Sequence, residues 1–385
     1  MPPGAGYPPP ELAGRGDVIE RAAIALDRIS HRRSARGFIL YGLRGVGKTV
    51  LLNHIRLDAE AMGIASVKIE APEDRSLPAL LAPALRATLI KLNRGEAAKA
   101  GAAKAMRVLA SFARALKVKH QDLEFGLDIE PLVGLADSGD LDSDLNDLLS
   151  SVGEAAAERD TAVVLFIDEI QYVPESQLAS LIMALHNAGQ GRLPITLIGA
   201  GLPQVVGQMG RAKSYAERLF EFAPIHRLDD EPARDALAIP ASKEGVSFTD
   251  TAISEILNQT RGYPYLLQEW GKHAWNIAAE SPINQVDAER ATTDALAELD
   301  ASFFRVRFDR LTPAEKRYMR GMAELGTGPH RSGDIADVLS RTVTTVAPVR
   351  NGLIAKGMIY SPAHGDTAFT VPLFDGFMKR ILPEL

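Results

Sequence analysis

The chain has 385 residues, 46% of them apolar and 24% charged, with a formal net charge of −6 and no cysteine. That composition is ordinary for a globular protein, and the length predicts two or three domains at roughly 100–200 residues each. It excludes structural disulfides, thiolate metal sites and a uniformly basic nucleic-acid coat, and no apolar stretch is long enough to span a membrane.

Residues 1–10, Met1 to Pro10, read as a proline-rich tail without the charged and apolar regions of a signal peptide, so the cytoplasm is the expected compartment. The apolar run Gly37-Phe38-Ile39-Leu40-Tyr41 then leads into Gly42-Leu43-Arg44-Gly45-Val46-Gly47-Lys48-Thr49, followed by Val50-Leu51-Leu52. Strand, glycine loop and helix start are the context that G-x-x-x-x-G-K-[ST] requires of a phosphate-binding loop. Glycines let backbone N–H groups curl around a β-phosphate, and the following helix adds its free N–H groups and positive dipole end. Gly42, Gly45, Val46, Gly47, Lys48, Thr49 and Val50 are therefore the expected nucleotide-binding residues for ATP or ADP. Lys48 is placed on the β- and γ-phosphates and the Thr49 hydroxyl on Mg²⁺.

A strand is expected after Gly63, over 64–70. Residues 77 to about 117 read as helical, and the alternation of 120–129 predicts a strand or hairpin. The acidic stretch from Asp137 to Asp147 reads as a loop and helix start, a solvated part of a helical and hairpin insertion covering about 75–150. Ala162-Val163-Val164-Leu165-Phe166-Ile167 is continuous apolar sequence, as in a parallel strand buried on both faces. It ends in Asp168-Glu169, where carboxylates face the ligand crevice of such a sheet. Asp168 is the expected second holder of Mg²⁺, and Glu169 the expected catalytic base. Further strands at 194–200 and 223–228 complete an α/β fold with a parallel sheet.

From Asp229 to about Asp300 the pattern is helical. Thr249 caps a helix carrying Ile253, Ile256 and Leu257, and Tyr263-Pro264 opens another through Leu267, Trp270 and Ala274. Trp270 and Trp275 are expected in its core. Residues 303–385 carry 12 Lys/Arg against 8 Asp/Glu, a local excess of +4 within an acidic chain. This part reads as a winged helix: a helix from Thr312-Pro313, a second over 332–339, and a third around Val346 to Ile354 with Pro348 in its first turn. Gly357 ends the third helix, and a hairpin wing follows. Helix-turn-helix modules send such a third helix into the major groove, so Arg341, Thr342, Thr345, Arg350 and Lys356 are the DNA-binding candidates. A winged helix used for protein contact is the alternative.

With these residues in hand, the chain resembles the AAA+/STAND group of P-loop ATPases. It is most similar to the bacterial and archaeal ATPases related to initiator (origin-recognition) proteins, over roughly residues 11–380. The resemblance implies an ATPase core at 11–228, a helical lid at 229–302 and a winged helix at 303–385. Leu12-Ala13-Gly14-Arg15 resembles the segment beside the adenine, and Arg261-Gly262-Tyr263-Pro264 the lid motif near the base. The implied base-binding residues are Gly14, Arg15, Tyr263 and Pro264. Arg218 stands where such proteins place an arginine finger, which would make it catalytic in an ATP-dependent homo-oligomer; a surface ion pair is the other reading. Two features depart from the group. Ala200-Gly201 replaces the usual polar sensor residue, and the lid has no Gly-x-Arg. The resemblance implies an ATP-dependent DNA-binding protein of initiator or DNA-transaction type. Its alternatives are a STAND-like signalling ATPase whose winged helix closes over the nucleotide, and a transposition-type DNA-targeting ATPase.

Overall fold

A computed structural model describes residues 9–73, 75–93, 100–119 and 130–384. In chain order the first part comprises α1 (Gly16–Ser30), β1 (Gly37–Tyr41), α2 (Lys48–Ala61), β2 (Ala65–Glu70), α3 (Leu77–Leu92), α4 (Ala100–Lys119) and α5 (Leu141–Glu158). It continues through β3 (Val163–Asp168), α6 (Glu175–Gln190), β4 (Ile195–Gly201), α7 (Gln204–Ala212), α8 (Ala216–Leu219) and β5 (Phe220–Pro224). The five strands pair in parallel in the order β2-β3-β4-β1-β5. Strand alternation sorts their side chains onto two faces. Phe38, Leu40, Val164 and Phe166 pack with α1 and α2. Ile39, Val67, Leu165 and Ile167 face the other way, onto α3 to α6.

This second layer corrects one sequence expectation. The stretch 75–150, read as an insertion with a solvated acidic segment, contributes to the main core: Leu81, Leu85, Leu89, Leu109, Phe112, Leu145 and Leu149 are buried together with the sheet. Even the acidic segment is internally satisfied. Asp140 caps α5 through Ser143 N–H, and buried Asp144 accepts from the backbone of Ser138 and Gly139. Apolar spacing within α3 to α5 outweighs the acidic surface residues. The expected strand or hairpin at 120–129 lies outside the described residues. The last strand falls at 220–224, three residues earlier than expected; Pro224 has no N–H to continue the ladder.

The remainder is α9 (Asp230–Lys243), α10 (Asp250–Thr260), α11 (Pro264–Ile277), α12 (Gln285–Ala301), α13 (Phe303–Asp309) and α14 (Pro313–Leu325). Then come β6 (His330–Arg331), α15 (Ser332–Val338), α16 (Val343–Ala355), β7 (Ile359–Tyr360), β8 (Asp366–Phe369) and α17 (Phe374–Ile381), with an antiparallel sheet in the order β6-β8-β7. Thr249 caps α10, and a Thr312–Glu315 capping box opens α14. Pro348 sits in the second turn of α16, not the first, because the helix starts at Thr342–Val343. Trp270 is buried and its indole N–H donates to Thr292 at 2.9 Å, but Trp275 is 43% exposed and not part of the core.

One hydrophobic core runs through both the helical segment and the C-terminal segment. It links Trp270 and Leu299 to Phe304, Tyr318, Phe374 and Phe377. The rings of Phe304, Phe374 and Phe377 meet at 5.2–5.6 Å between centroids. The sequence boundary at 302/303 is thus bridged by α13. A close-packed core of this kind joins the two segments into one packed unit.

Candidate nucleotide site

β1 ends at Tyr41, and the loop 42–47 turns directly into α2. Gly47 adopts φ 92°, a left-handed conformation that favours glycine and lets the first N–H groups of α2 face the loop. Lys48, the first residue of α2, is buried, and its Nζ donates to Leu43 O at 2.8 Å. This bond holds the ammonium inside the loop, where phosphate oxygens would replace the carbonyl. Burial, followed by repulsion from Arg44, pushes the Lys48 pKa down to about 8, against attraction from Glu169 and Asp168.

β3 delivers the acids. Asp168 is buried at the strand end, where burial raises its pKa while a hydrogen bond from the Thr49 hydroxyl opposes the shift. The hydroxyl and carboxylate are two hard oxygen donors side by side, a pair that suits Mg²⁺. Glu169 turns off the strand in the left-handed region at φ 51°, a costly pose for a side-chain-bearing residue that recurs at functional sites. Its carboxylate accepts from Arg44 Nη1 at 3.3 Å and from Gln171 Nε2. Arg44 also donates to the Tyr172 hydroxyl at 2.8 Å. Gln171 was not singled out for a role by the sequence. It fills the space above the apolar end of β4, with its Oε1 accepting Leu202 N–H at 3.0 Å.

The residues expected around the base are placed as follows. Arg15 donates to Val46 O at 3.1 Å and to His226 O at 2.6 Å, so it ties the N-terminal segment to the P-loop. Gly14 lies against Pro232 and Leu228. Tyr263 and Pro264 form the start of α11, and the next residue makes the contact that matters: Tyr265 N–H donates to Gly45 O at 3.0 Å. Arg218 is exposed at the end of α8. Since Phe220 pairs with Gly37, Arg218 lies at the far end of the sheet, on the order of 13 Å below its own P-loop at about 3.3 Å per strand residue.

The C-terminal segment sits on the mouth of this site. Thr370 O accepts the Arg44 backbone N–H at 2.9 Å. At Gly357, which ends α16 with φ 63°, a Cβ would lie 2.8 Å from the Tyr172 hydroxyl and 3.1 Å from Arg44 Nη2, so only glycine allows this approach. Arg310, just after α13, pairs with Glu73 in the loop after β2 at 2.7 Å. Two of the five DNA-binding candidates are tied inward. Arg350 donates to Thr367 Oγ1, Ser361 Oγ and Asp366 O at 2.8–2.9 Å, and Lys356 pairs with Glu315 at 2.7 Å. Arg341, Thr342 and Thr345 are exposed, and Thr342 caps α16.

A parallel sheet with a glycine loop after its first strand, facing an Asp-Glu pair at the end of another, is the fold of the P-loop NTPases. Residues 11–198 match the AAA ATPase domain family, and residues 301–378 match the family described as Domain of unknown function (DUF8462). Among solved structures, the Walker-type ATPase of Pyrococcus abyssi is 16% identical, with a TM-score of 0.61 over 97% of this chain and 98% of that one. The Orc1 protein of Aeropyrum pernix, solved in complex with DNA, is 14% identical with a TM-score of 0.48 over 97% and 94% of the two chains. A curated relative, an uncharacterized HTH-type transcriptional regulator of Methanocaldococcus jannaschii, is 22% identical over 218 residues, 54% of this chain. The chain spans about half the length, 53%, of that relative. No helix among the described residues is long and apolar enough to cross a membrane.

The depressed Lys48 gives a signed pH dependence. Phosphate oxygens favour the ammonium, so bound nucleotide raises a pKa that is about 8 in the free protein. Affinity is full below that value and falls as pH rises through it. Calorimetric titrations in buffers of different ionisation enthalpy should show uptake approaching one proton at about pH 9 and almost none at about pH 6.5. Proton uptake that does not rise with pH would contradict this assignment.

Proposed function

We propose that the protein is an ATP-binding and ATP-hydrolysing switch in which the nucleotide sets the position of the C-terminal segment. The observation that carries this reading is the hydrogen bond from the Arg44 N–H of the P-loop to Thr370 O of that segment. In this reading Lys48 and the loop N–H groups hold the phosphates, and Thr49 and Asp168 hold Mg²⁺. Glu169 orients water once Arg44 leaves it for the incoming phosphates. The C-terminal segment follows the strand and helix order of a winged helix, and its docking on the P-loop favours the STAND-like arrangement. Arg218 lies too far to serve its own nucleotide, so its finger role belongs to a neighbouring subunit.

The outer surface of the same segment supports a DNA-directed output. The exposed start of α16 offers Arg341, Thr342 and Thr345, while Arg350 braces the hairpin and Lys356 ties the end of α16 to Glu315 of α14. Anisotropy of a labelled duplex over a salt series, with ADP or a non-hydrolysable ATP analogue, tests this output. Affinity should fall with salt and differ between nucleotides, and Arg341→Ala should reduce the log–log slope by about 1. No binding at low salt with either nucleotide would remove DNA as the partner and leave protein contact.

A further inference from the structure

Among the described residues, Arg307 is a cation without a carboxylate partner. Phe303 and Arg307 of α13 and its C-cap Arg310 follow at i, i+4 and i+7, along one face. Phe303 stacks on Tyr265 with centroids 4.6 Å apart, and Tyr265 is bonded through its N–H to Gly45 of the P-loop. Arg310, at the other end of the face, is held by both Glu73 oxygens at 2.7 Å. Arg307 therefore lies between the P-loop and the loop after β2. Its hydrogen bond is to Phe303 O at 2.6 Å, and its guanidinium lies 3.9 Å over the Phe303 ring. Neither contact neutralises it, and among the described residues no acid forms an ion pair with it.

The electrostatics of the mouth agree with this placement. Burial, and then repulsion from Arg44, lower the Arg307 pKa to about 10, while Glu169 acts on it in the opposite sense. Arg44, Lys48 and Arg307 thus share one electrostatic neighbourhood with Glu169. An uncompensated, partly desolvated guanidinium is costly unless an anion completes it, and its planar fork suits phosphate oxygens. At the end of β4, where a polar side chain would read the third phosphate, there are only Ala200 and Gly201.

We propose that Arg307 binds the terminal phosphate of the nucleoside triphosphate held by its own chain, and so distinguishes triphosphate from diphosphate. The proposal rests on the nucleotide-switch reading and deepens it. It places the phosphate contact on the helix that joins the lid to the C-terminal segment, so that the third phosphate is felt directly by the moving body.

The test is the affinity of the full chain, with Mg²⁺, for ADP and for a non-hydrolysable ATP analogue, measured for wild type, Arg307→Ala, Arg307→Lys and Arg310→Ala. Wild type should prefer the triphosphate. Arg307→Ala should lose roughly 10- to 100-fold in analogue affinity, the range for a charge-assisted hydrogen bond, while ADP affinity stays within about twofold. Arg307→Lys should retain part of the preference. Arg310→Ala, which only loosens α13, should affect the two nucleotides alike. Equal losses for both nucleotides in Arg307→Ala, or no loss in either, would overturn the proposal while leaving the nucleotide site intact. Failure of wild type to bind either nucleotide would bring down the switch reading and the proposal together.

Discussion

Lys48→Ala is expected to weaken ATP binding by about 100-fold or more, roughly 3 kcal/mol, because it removes the buried cation at the centre of the loop. The fold should tolerate the change. In the free protein the ammonium is a desolvated charge, so its removal relieves that cost and leaves only the Leu43 carbonyl, on a half-buried loop, to take a hydrogen bond from water. Calorimetry on the folded variant checks the point. Wild-type affinity in Lys48→Ala would mean that nucleotide is not held by this loop.

Glu169→Gln separates binding from chemistry. The amide is nearly isosteric but cannot take a proton from water, so turnover should drop by about 10²- to 10⁴-fold, the usual contribution of a general base. ATP affinity should change less than about threefold, because the carboxylate faces Arg44 and Gln171 and not the loop N–H groups that cradle phosphate. Phosphate release and analogue binding on the same preparation give both numbers. Unchanged turnover would move the base elsewhere.

The parts of this molecule that were legible in sequence are those written by local chemistry. The loop at 42–49 carries its own glycines and lysine, and β3 announces burial on both faces before its two acids. Caps at Thr249 and Thr312 mark helix starts that the structure reproduces. What was not legible depends on which surfaces meet. Arg15 reads as a base-flanking residue, and its hydrogen bonds to Val46 O and His226 O carry no sequence signal. Arg350 and Lys356 read as free donors on a third helix, yet the hairpin and Glu315 take them. Helices α3 to α5 read as an insertion because their apolar face has no partner until the sheet is assembled. Arg307 has no sequence signature at all; its significance arises from one face of a seven-residue helix lying between Tyr265 and Glu73.

The central claim is that the C-terminal segment covers the nucleotide mouth and must move off it once in each cycle. The chain has no cysteine, so cysteines placed at 73 and 310, replacing the Glu73–Arg310 ion pair, can be joined by a short reducible cross-linker without side reactions. Steady-state ATP turnover of the cross-linked protein against the same protein after reduction is the decisive measurement. The account predicts turnover at least about 10-fold lower when joined and restored on reduction, since a conformational step that gates product release limits the rate. Equal turnover in the joined and reduced states would contradict it.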